Sequence, residues 1–491
     1  MSSAGRVGGD VRPALPFLLI VLLLVAVFFA YALLDAVADR DFASASSLIA
    51  LAAVAFGISQ FPIMAGRWPG WLSGYSVITL SYVLIFAARP WYTATFEQSS
   101  NIFTGGPYRD SALTASLVAA AGYVAVSISY AFVFRSRNRL APSTIPKVID
   151  SRRWKTISPL LVVVGLAGCA LYLAYIAQLG PANYIRITFS GRSEEYWTAV
   201  RETSGYLQNG LRFALGVGLF ALFQAILRKS FVQIILFTLF VAVLSIPQVF
   251  AGSRSAFLPV VFCILLFLSI AAPKVVSGRK LAVIAPTIFI LGFVAPRIWR
   301  DGLSRNSDIA TAIQLALDPQ ETFSSFLGGL DTAMLDALAL QVESQSNGAV
   351  PLQYGGTYVA AIVAPVPREI WASKPEVVDQ YLNSVIFPVS DAQGTGYAFS
   401  MFSEPLVNFG VIGVILFGAL FGATIGILHR KAEDIRTLPW MFVYALSGAY
   451  AFVIMRGSLS FDIQRLLMLL VPVLLVLWIS GLFSSAPDRQ R

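Results

Sequence analysis

The sequence predicts an all-α, polytopic membrane protein of about twelve transmembrane helices, with one large external loop carrying short amphipathic helices. Three observations lead there. Of 491 residues, 57% are hydrophobic and only 12% charged, whereas soluble domains run near half apolar and a quarter charged. The mean hydropathy is +0.73. The apolar residues gather in runs long enough to cross a bilayer core, which takes ~20 helical residues. One stretch, 298–401, interrupts these runs and is too long for a structureless connection.

The runs fall near 14–36, 44–65, 71–88, 112–134, 157–178, 205–227, 231–249, 256–272, 280–297, 402–428, 438–455 and 463–484. The first is too long for a signal-peptide core and has no small-residue cleavage site, so it reads as a retained span. Cys169 and Cys263 both lie inside apolar runs, so no disulfide framework is implied. Twelve spans put both termini on one side, and the distribution of basic residues decides which. The N-terminus, Arg67, 135–156, Arg228-Lys229, 273–280, 429–437 and the C-terminus hold 20 Lys and Arg against 5 Asp and Glu; the opposite side holds 15 against 21. The first side is therefore expected to be cytoplasmic. This topology accounts for the net charge of +9 and removes the case for a nucleic-acid partner. The expected division is residues 1–297 for spans one to nine, 298–401 for the external loop, and 402–491 for spans ten to twelve.

The external side uses arginine. Of its 15 cations only Lys374 is lysine, while the other side carries six of the seven lysines. Arginine presents a planar fork that grips phosphate or carboxylate oxygens in pairs; pairing with the local acids is the plainer alternative. Within the large loop, Asp318-Pro319-Gln320-Glu321 has the form of a helix start. Phe323, Phe326, Leu327, Leu330, Met334 and Leu338 then recur at helical spacing. The expectation is one amphipathic helix, with Asp336 and Glu343 on its far face and Asp331 at the edge of the apolar stripe.

Four stretches could carry chemistry. AGSRSAFLPV, 251–260, opens a span with Arg254 at a helix N-terminus, where the dipole disfavours a cation unless an anion sits there too. YGGTYVAAIVAPVPREIWASKP, 354–375, has an apolar piece too short to span, then Arg368 among prolines that restrict the backbone. Trp371 offers a flat face for a sugar ring or an interfacial anchor. FSEPLVNFGVIGVILFGALFG, 402–422, sets Glu404 at the start of a span, either complementing the dipole or acting as a general base. Its Gly410, Gly413, Gly418 and Gly422 point to close helix packing. MRGSLSFDIQR, 455–465, brings Arg456 to the end of one span and Asp462 and Arg465 to the start of the next, the last two about a turn apart and able to pair.

Other chemistries are poorly supported. The one histidine, His429, is expected on the cytoplasmic side, away from any external site. There is no Walker-type phosphate loop and no dinucleotide fingerprint. Asp39-Arg40-Asp41 could hold a divalent metal but reads more simply as a solvated turn.

Taken in order, GSRSA before a span, YGGTY, PVPREIWASKP, EPLVNFGVIG and a late RGS resemble the O-antigen polymerase family over roughly 245–470. That resemblance implies a GT-C-like membrane glycosyltransferase of the bacterial plasma (inner) membrane, working on the external or periplasmic face. A growing glycan on undecaprenyl diphosphate would pass whole to the sugar end of a new lipid-linked repeat unit, with no cofactor and no metal. The implied partners are the undecaprenyl-diphosphate-linked oligosaccharides, membrane lipids, a flippase and a chain-length regulator. Arg254, Arg368 and Arg456 match the family's GSR, PR-x-x-W and late RG, and are its implied diphosphate and glycan contacts. Arg465, Lys374, Trp371 and Tyr354 complete the candidate binding set, with Asp331 and Glu404 as candidate proton acceptors. The Arg-x10-Gly pair of some members is missing, so the resemblance assigns no role to Arg186, Arg192 or Arg201. A polyprenyl-phosphate-sugar transferase and a lipid-oligosaccharide flippase are the alternatives.

Overall fold

The computed structural model describes residues 30–66, 68–96, 99–135, 151–189, 205–250, 254–273, 275–276, 313–314, 317–364, 366, 370–371, 373–392 and 396–480. The apolar runs among them are helical, and none of these residues forms an extended strand. The helices are α1 (Phe42–Gln60), α2 (Gly74–Tyr82), α3 (Arg89–Phe96), α4 (Asp110–Phe134), α5 (Ser151–Leu179), α6 (Pro181–Phe189), α7 (Gly205–Arg228), α8 (Phe231–Phe250) and α9 (Arg254–Ala271). In the large loop come α10 (Pro319–Leu327), α11 (Met334–Ser346), α12 (Gly356–Ile362), α13 (Val378–Ile386) and α14 (Pro388–Ala392), followed by α15 (Ser403–Ile435), α16 (Leu438–Arg456) and α17 (Leu459–Ile479). Seven helices are long and apolar enough to cross a membrane, and Phe231–Pro247 and Phe257–Ala271 are shorter apolar helices. The run expected at 280–297 and most of that at 14–36 lie outside the described residues. The run at 71–88 becomes α2 and a π-helical segment, Val83–Ala88, that continues directly into α3.

The central helix is α16. It is buried along nearly its whole length, whereas α5 presents Val162, Val163, Leu166 and Leu173 outward. An apolar surface of that kind suits lipid contact. Among the described residues the most extensive helix contact is between α4 and α15, and the sequence explains why. A Cβ on Gly418 would stand 2.7 Å from the Gly122 carbonyl oxygen, so only glycine lets the two backbones approach this closely. Gly410 plays a different part: at φ 65 and ψ −157 it breaks α15 into a short upper piece and a long lower one.

The large loop departs from the expected single amphipathic helix. Asp318 caps α10 as expected, its Oδ1 accepting from the Gln320 and Glu321 amides at 2.8 and 3.4 Å. The helix then ends at Gly328, and the chain turns through Gly329–Ala333 before α11 begins. Asp331 therefore sits in a turn. The break re-aims α11, so Asp336 is not on a far, solvated face but fully buried. Asp318→Ala is expected to cost about 1 kcal/mol of local stability in α10, read as faster amide exchange over 320–324; unchanged exchange would deny the cap its role.

Buried Asp336 fastens the loop to the bundle. Its Oδ2 accepts from Arg89 Nη2 at 3.3 Å and the Ile102 amide at 2.9 Å, and its Oδ1 accepts from the Tyr108 hydroxyl. Arg89, also fully buried, donates to the Leu327 carbonyl at 3.0 Å. Burial raises the Asp336 pKa, and Arg89 opposes that rise.

Candidate functional site

The site is built around the turn between α16 and α17. α16 delivers Arg456 at its last residue, Gly457 and Ser458 turn the chain, and α17 starts at Leu459. A cation at a helix C-terminus and Asp462 in the first turn of the next helix both agree with the helix dipoles. The turn is where parts of the large loop and the start of α15 meet the bundle. Three other segments reach it there.

From the turn between α10 and α11 comes Asp331. Arg456 Nη2 donates to its Oδ1 at 2.6 Å, and Nε donates to its carbonyl at 3.0 Å. Beside this pair lies a small open depression whose lining includes Ser81, Leu84, Phe326, Asp331, Phe452 and Arg456. The Arg456 guanidinium and the Phe326 and Phe452 rings thus border one space.

From α13 comes Asp379, which the sequence reading did not single out. Its Oδ2 accepts from the Ser458 hydroxyl at 2.8 Å. Its Oδ1 is enclosed and has no hydrogen-bond partner among the described residues. Burial pushes the Asp379 carboxyl up, and the Ser458 hydroxyl and Arg465 pull it part of the way back. Arg465 donates from Nη1 to Asp462 Oδ1 at 3.1 Å and lies 4.1 Å over the Phe461 ring, while its buried Nε has no hydrogen-bond partner among the described residues.

From the start of α15 comes Glu404, fully buried. Its Oε1 accepts from the Ser460 hydroxyl at 2.7 Å and the Thr357 hydroxyl at 3.2 Å, and its Oε2 accepts from the Ser460 amide at 2.8 Å. Ser460 is the second residue of α17, so Glu404 satisfies one of that helix's first amides from outside. Asn408 adds to the clamp, donating to Thr357 Oγ1 at 2.6 Å and accepting from the Gly355 amide at 2.9 Å. The YGGTY and EPLVNFG stretches are thus one unit, and Gln464 joins it to α17 by donating to the Ala361 carbonyl.

The remaining candidates sit around this unit. Tyr354 is 79% exposed at a left-handed φ of 47. Trp371 is partly exposed and donates from Nε1 to the Ser373 hydroxyl at 3.1 Å. Lys374 donates to the Ala364 and Val366 carbonyls at 3.0 and 2.9 Å, holding the ends of the proline-rich segment together. Arg254 opens α9; its side chain, and the whole of Arg368, lie outside the described residues. Asp41 caps α1, its Oδ1 accepting from the Ser44 amide at 3.1 Å and the Ser99 hydroxyl at 3.2 Å. His429 lies towards the other end of α15 from Glu404, its Nδ1 2.7 Å from the Tyr130 hydroxyl. Among the described residues no group of three or more His, Cys, Asp or Glu could hold a metal ion.

So the structure joins Asp331 to Arg456, Glu404 to the start of α17, and Asp462 to Arg465, all at one turn. Asp379, Ser458, Ser460, Thr357 and Asn408 were missed. Ser458 and Asp379 lie 79 positions apart, and no periodicity links them.

No curated protein and no solved structure matches the chain. The profile of the family described as O-antigen polysaccharide polymerase Wzy matches residues 17–485. That match extends well past the 245–470 stretch in which the motifs lie, into a half where only hydropathy carried the likeness. A multi-pass helical membrane architecture and a match over nearly the whole chain agree: this protein belongs to the O-antigen polysaccharide polymerase Wzy family.

Proposed function

We propose that the chain polymerises undecaprenyl-diphosphate-linked oligosaccharide repeat units on the external face of the bacterial plasma membrane, transferring a growing glycan whole onto the sugar end of a new unit. The observation that carries this reading is the turn at 456–465, where Arg456 bonds Asp331, Arg465 bonds Asp462, and Ser458 and Ser460 bond Asp379 and Glu404. Diphosphate is already a good leaving group. The main demand on the protein is to neutralise its charge as the sugar C1–O bond breaks, and preset forked cations meet that demand. A carboxylate of the same cluster then takes the proton of the attacking hydroxyl, with Asp331 and Glu404 the candidates read from sequence. Arg254 and Arg368 join the grip on the diphosphate. Trp371 and Tyr354 offer flat faces to the glycan, and Lys374 bonds the carbonyls of Ala364 and Val366. Neither a nucleotide sugar nor a metal is required by this scheme.

The test is deletion of the gene followed by mass analysis of surface glycolipids. The expected result is a ladder of chain lengths collapsing to a single repeat unit, restored by the wild-type gene. Loss of every unit from the outside would mean transport instead and would end this reading. In membranes, chain growth should also survive a chelator; growth that stops on chelation would remove the metal-free part of the scheme.

A further inference from the structure

Resting on that reading, we propose that Asp379 is the proton acceptor of the transfer reaction, with Arg465 beside it holding the departing diphosphate. A general base needs a carboxylate oxygen whose lone pairs are not already taken, and the four carboxylates of the cluster differ in this. Asp462, buried, is held by Arg465 Nη1 at 3.1 Å, a charge-assisted bond that favours its ionised form. Glu404 is fully buried, and its two oxygens already accept three hydrogen bonds, one of them from a backbone amide at a helix start. Taking a proton there would disturb the start of α17. Asp331 is bound at 2.6 Å by the Arg456 guanidinium, and a charge-assisted bond of that kind stabilises the ionised form and weakens it as a base. Asp379 accepts one bond from a neutral hydroxyl on Oδ2 and has Oδ1 vacant among the described residues.

The neighbouring cation is similarly available. Arg465 gives one nitrogen to Asp462 and keeps Nε without a hydrogen-bond partner among the described residues, and it is near enough to Asp379 to pull on its titration. A vacant carboxylate oxygen and an unsatisfied guanidinium edge, both enclosed, are each costly unless a ligand completes them. A sugar hydroxyl bound beside a diphosphate would complete both. In the step itself, the acceptor hydroxyl gives its proton to Asp379 Oδ1 as its oxygen bonds to C1 of the donor sugar. The C1–O bond to the diphosphate breaks, and the electron pair leaves with the lipid diphosphate, whose charge Arg465 and Arg456 meet. Asp379 afterwards returns the proton to solvent.

The repeat unit that accumulates in the deletion strain, extracted as its polyprenyl-diphosphate form, serves as the substrate for the purified full-length protein in bilayer discs. Asp379→Asn keeps the shape and an acceptor oxygen for Ser458, and is expected to lower kcat at least ~100-fold with KM within about threefold. The wild type should lose rate as pH falls, because a protonated Asp379 cannot take the hydroxyl proton. Glu404, Asp462 and Arg465 are the charged groups that face it, and the Asn variant separates its titration from theirs. The midpoint of that loss is expected above the ordinary aspartate value of 3.8, since burial raises this carboxyl. Asp379→Glu should recover part of kcat, and the acid limb should be missing from the residual rate of Asp379→Asn. An Asn variant with kcat within threefold of wild type, or a wild-type profile with no acid limb, overturns the assignment while leaving the polymerase reading intact. Failure of the wild type to extend this substrate at all would overturn both.

Discussion

Asp336→Ala is expected to lower the stability of the folded chain by about 3–5 kcal/mol, the usual cost of removing one partner of a buried ion pair. The carboxylate is fully buried and meets Arg89, the Ile102 amide and the Tyr108 hydroxyl together. Its loss leaves a buried guanidinium without its counter-charge and two further donors without an acceptor. Thermal unfolding in detergent, followed by tryptophan fluorescence, reads the change. The double variant Arg89→Met with Asp336→Leu should recover a good part of it, because a buried pair replaced by apolar side chains is often near neutral. An unchanged midpoint for Asp336→Ala would mean that the loop is held to the bundle by other contacts.

Arg465→Ala is expected to reduce chain growth by ~10²–10³-fold, the range seen when one preset donor to a developing negative charge is removed. Cells carrying it should accumulate single repeat units, and the purified variant should remain folded at the assay temperature, with some lowering of its midpoint because buried Asp462 loses its partner. Arg465→Lys should rescue poorly, since an ammonium cannot reproduce the edge that lies over Phe461 and reaches Asp462. Equal activity of the lysine variant would reduce the argument to plain charge. Long chains of normal abundance from the alanine variant would remove Arg465 from the site. The same outcome is expected for Arg254→Ala and Arg368→Ala.

What was legible in the sequence is what depends on local chemistry. The run read as 112–134 is α4, Asp110–Phe134, because a span is announced by its own hydropathy. The Asp318 cap is legible for the same reason: acid, proline and a second acid lie within one turn. Gly418 signals close packing through its own missing side chain. Asp336 misled because a helical wheel assumes an unbroken helix, and Gly328 and Gly329 end that helix before the acid is reached. Its partners Arg89, Ile102 and Tyr108 are more than 220 positions away. The site divides along the same line. Arg456 and Arg465 stand out as cations at span ends, and Asp331 and Glu404 as acids at the edges of apolar stretches. Asp379 looks like any acid in a polar loop, and only the tertiary fold sets it against Ser458 with one oxygen unsatisfied.

The joint at Gly410 bears on how the protein sits in lipid. Above it, Ser403–Phe409 is tied to Thr357 and Ser460; below it, the remainder of α15 runs along α4. A rigid spanning rod answers a thinner or thicker bilayer by leaning as a whole, and any groups fixed to its tip swing with it. A jointed rod leans only beneath its joint. The end that carries Glu404 can therefore keep its alignment while the lower part adjusts to membranes of unequal depth.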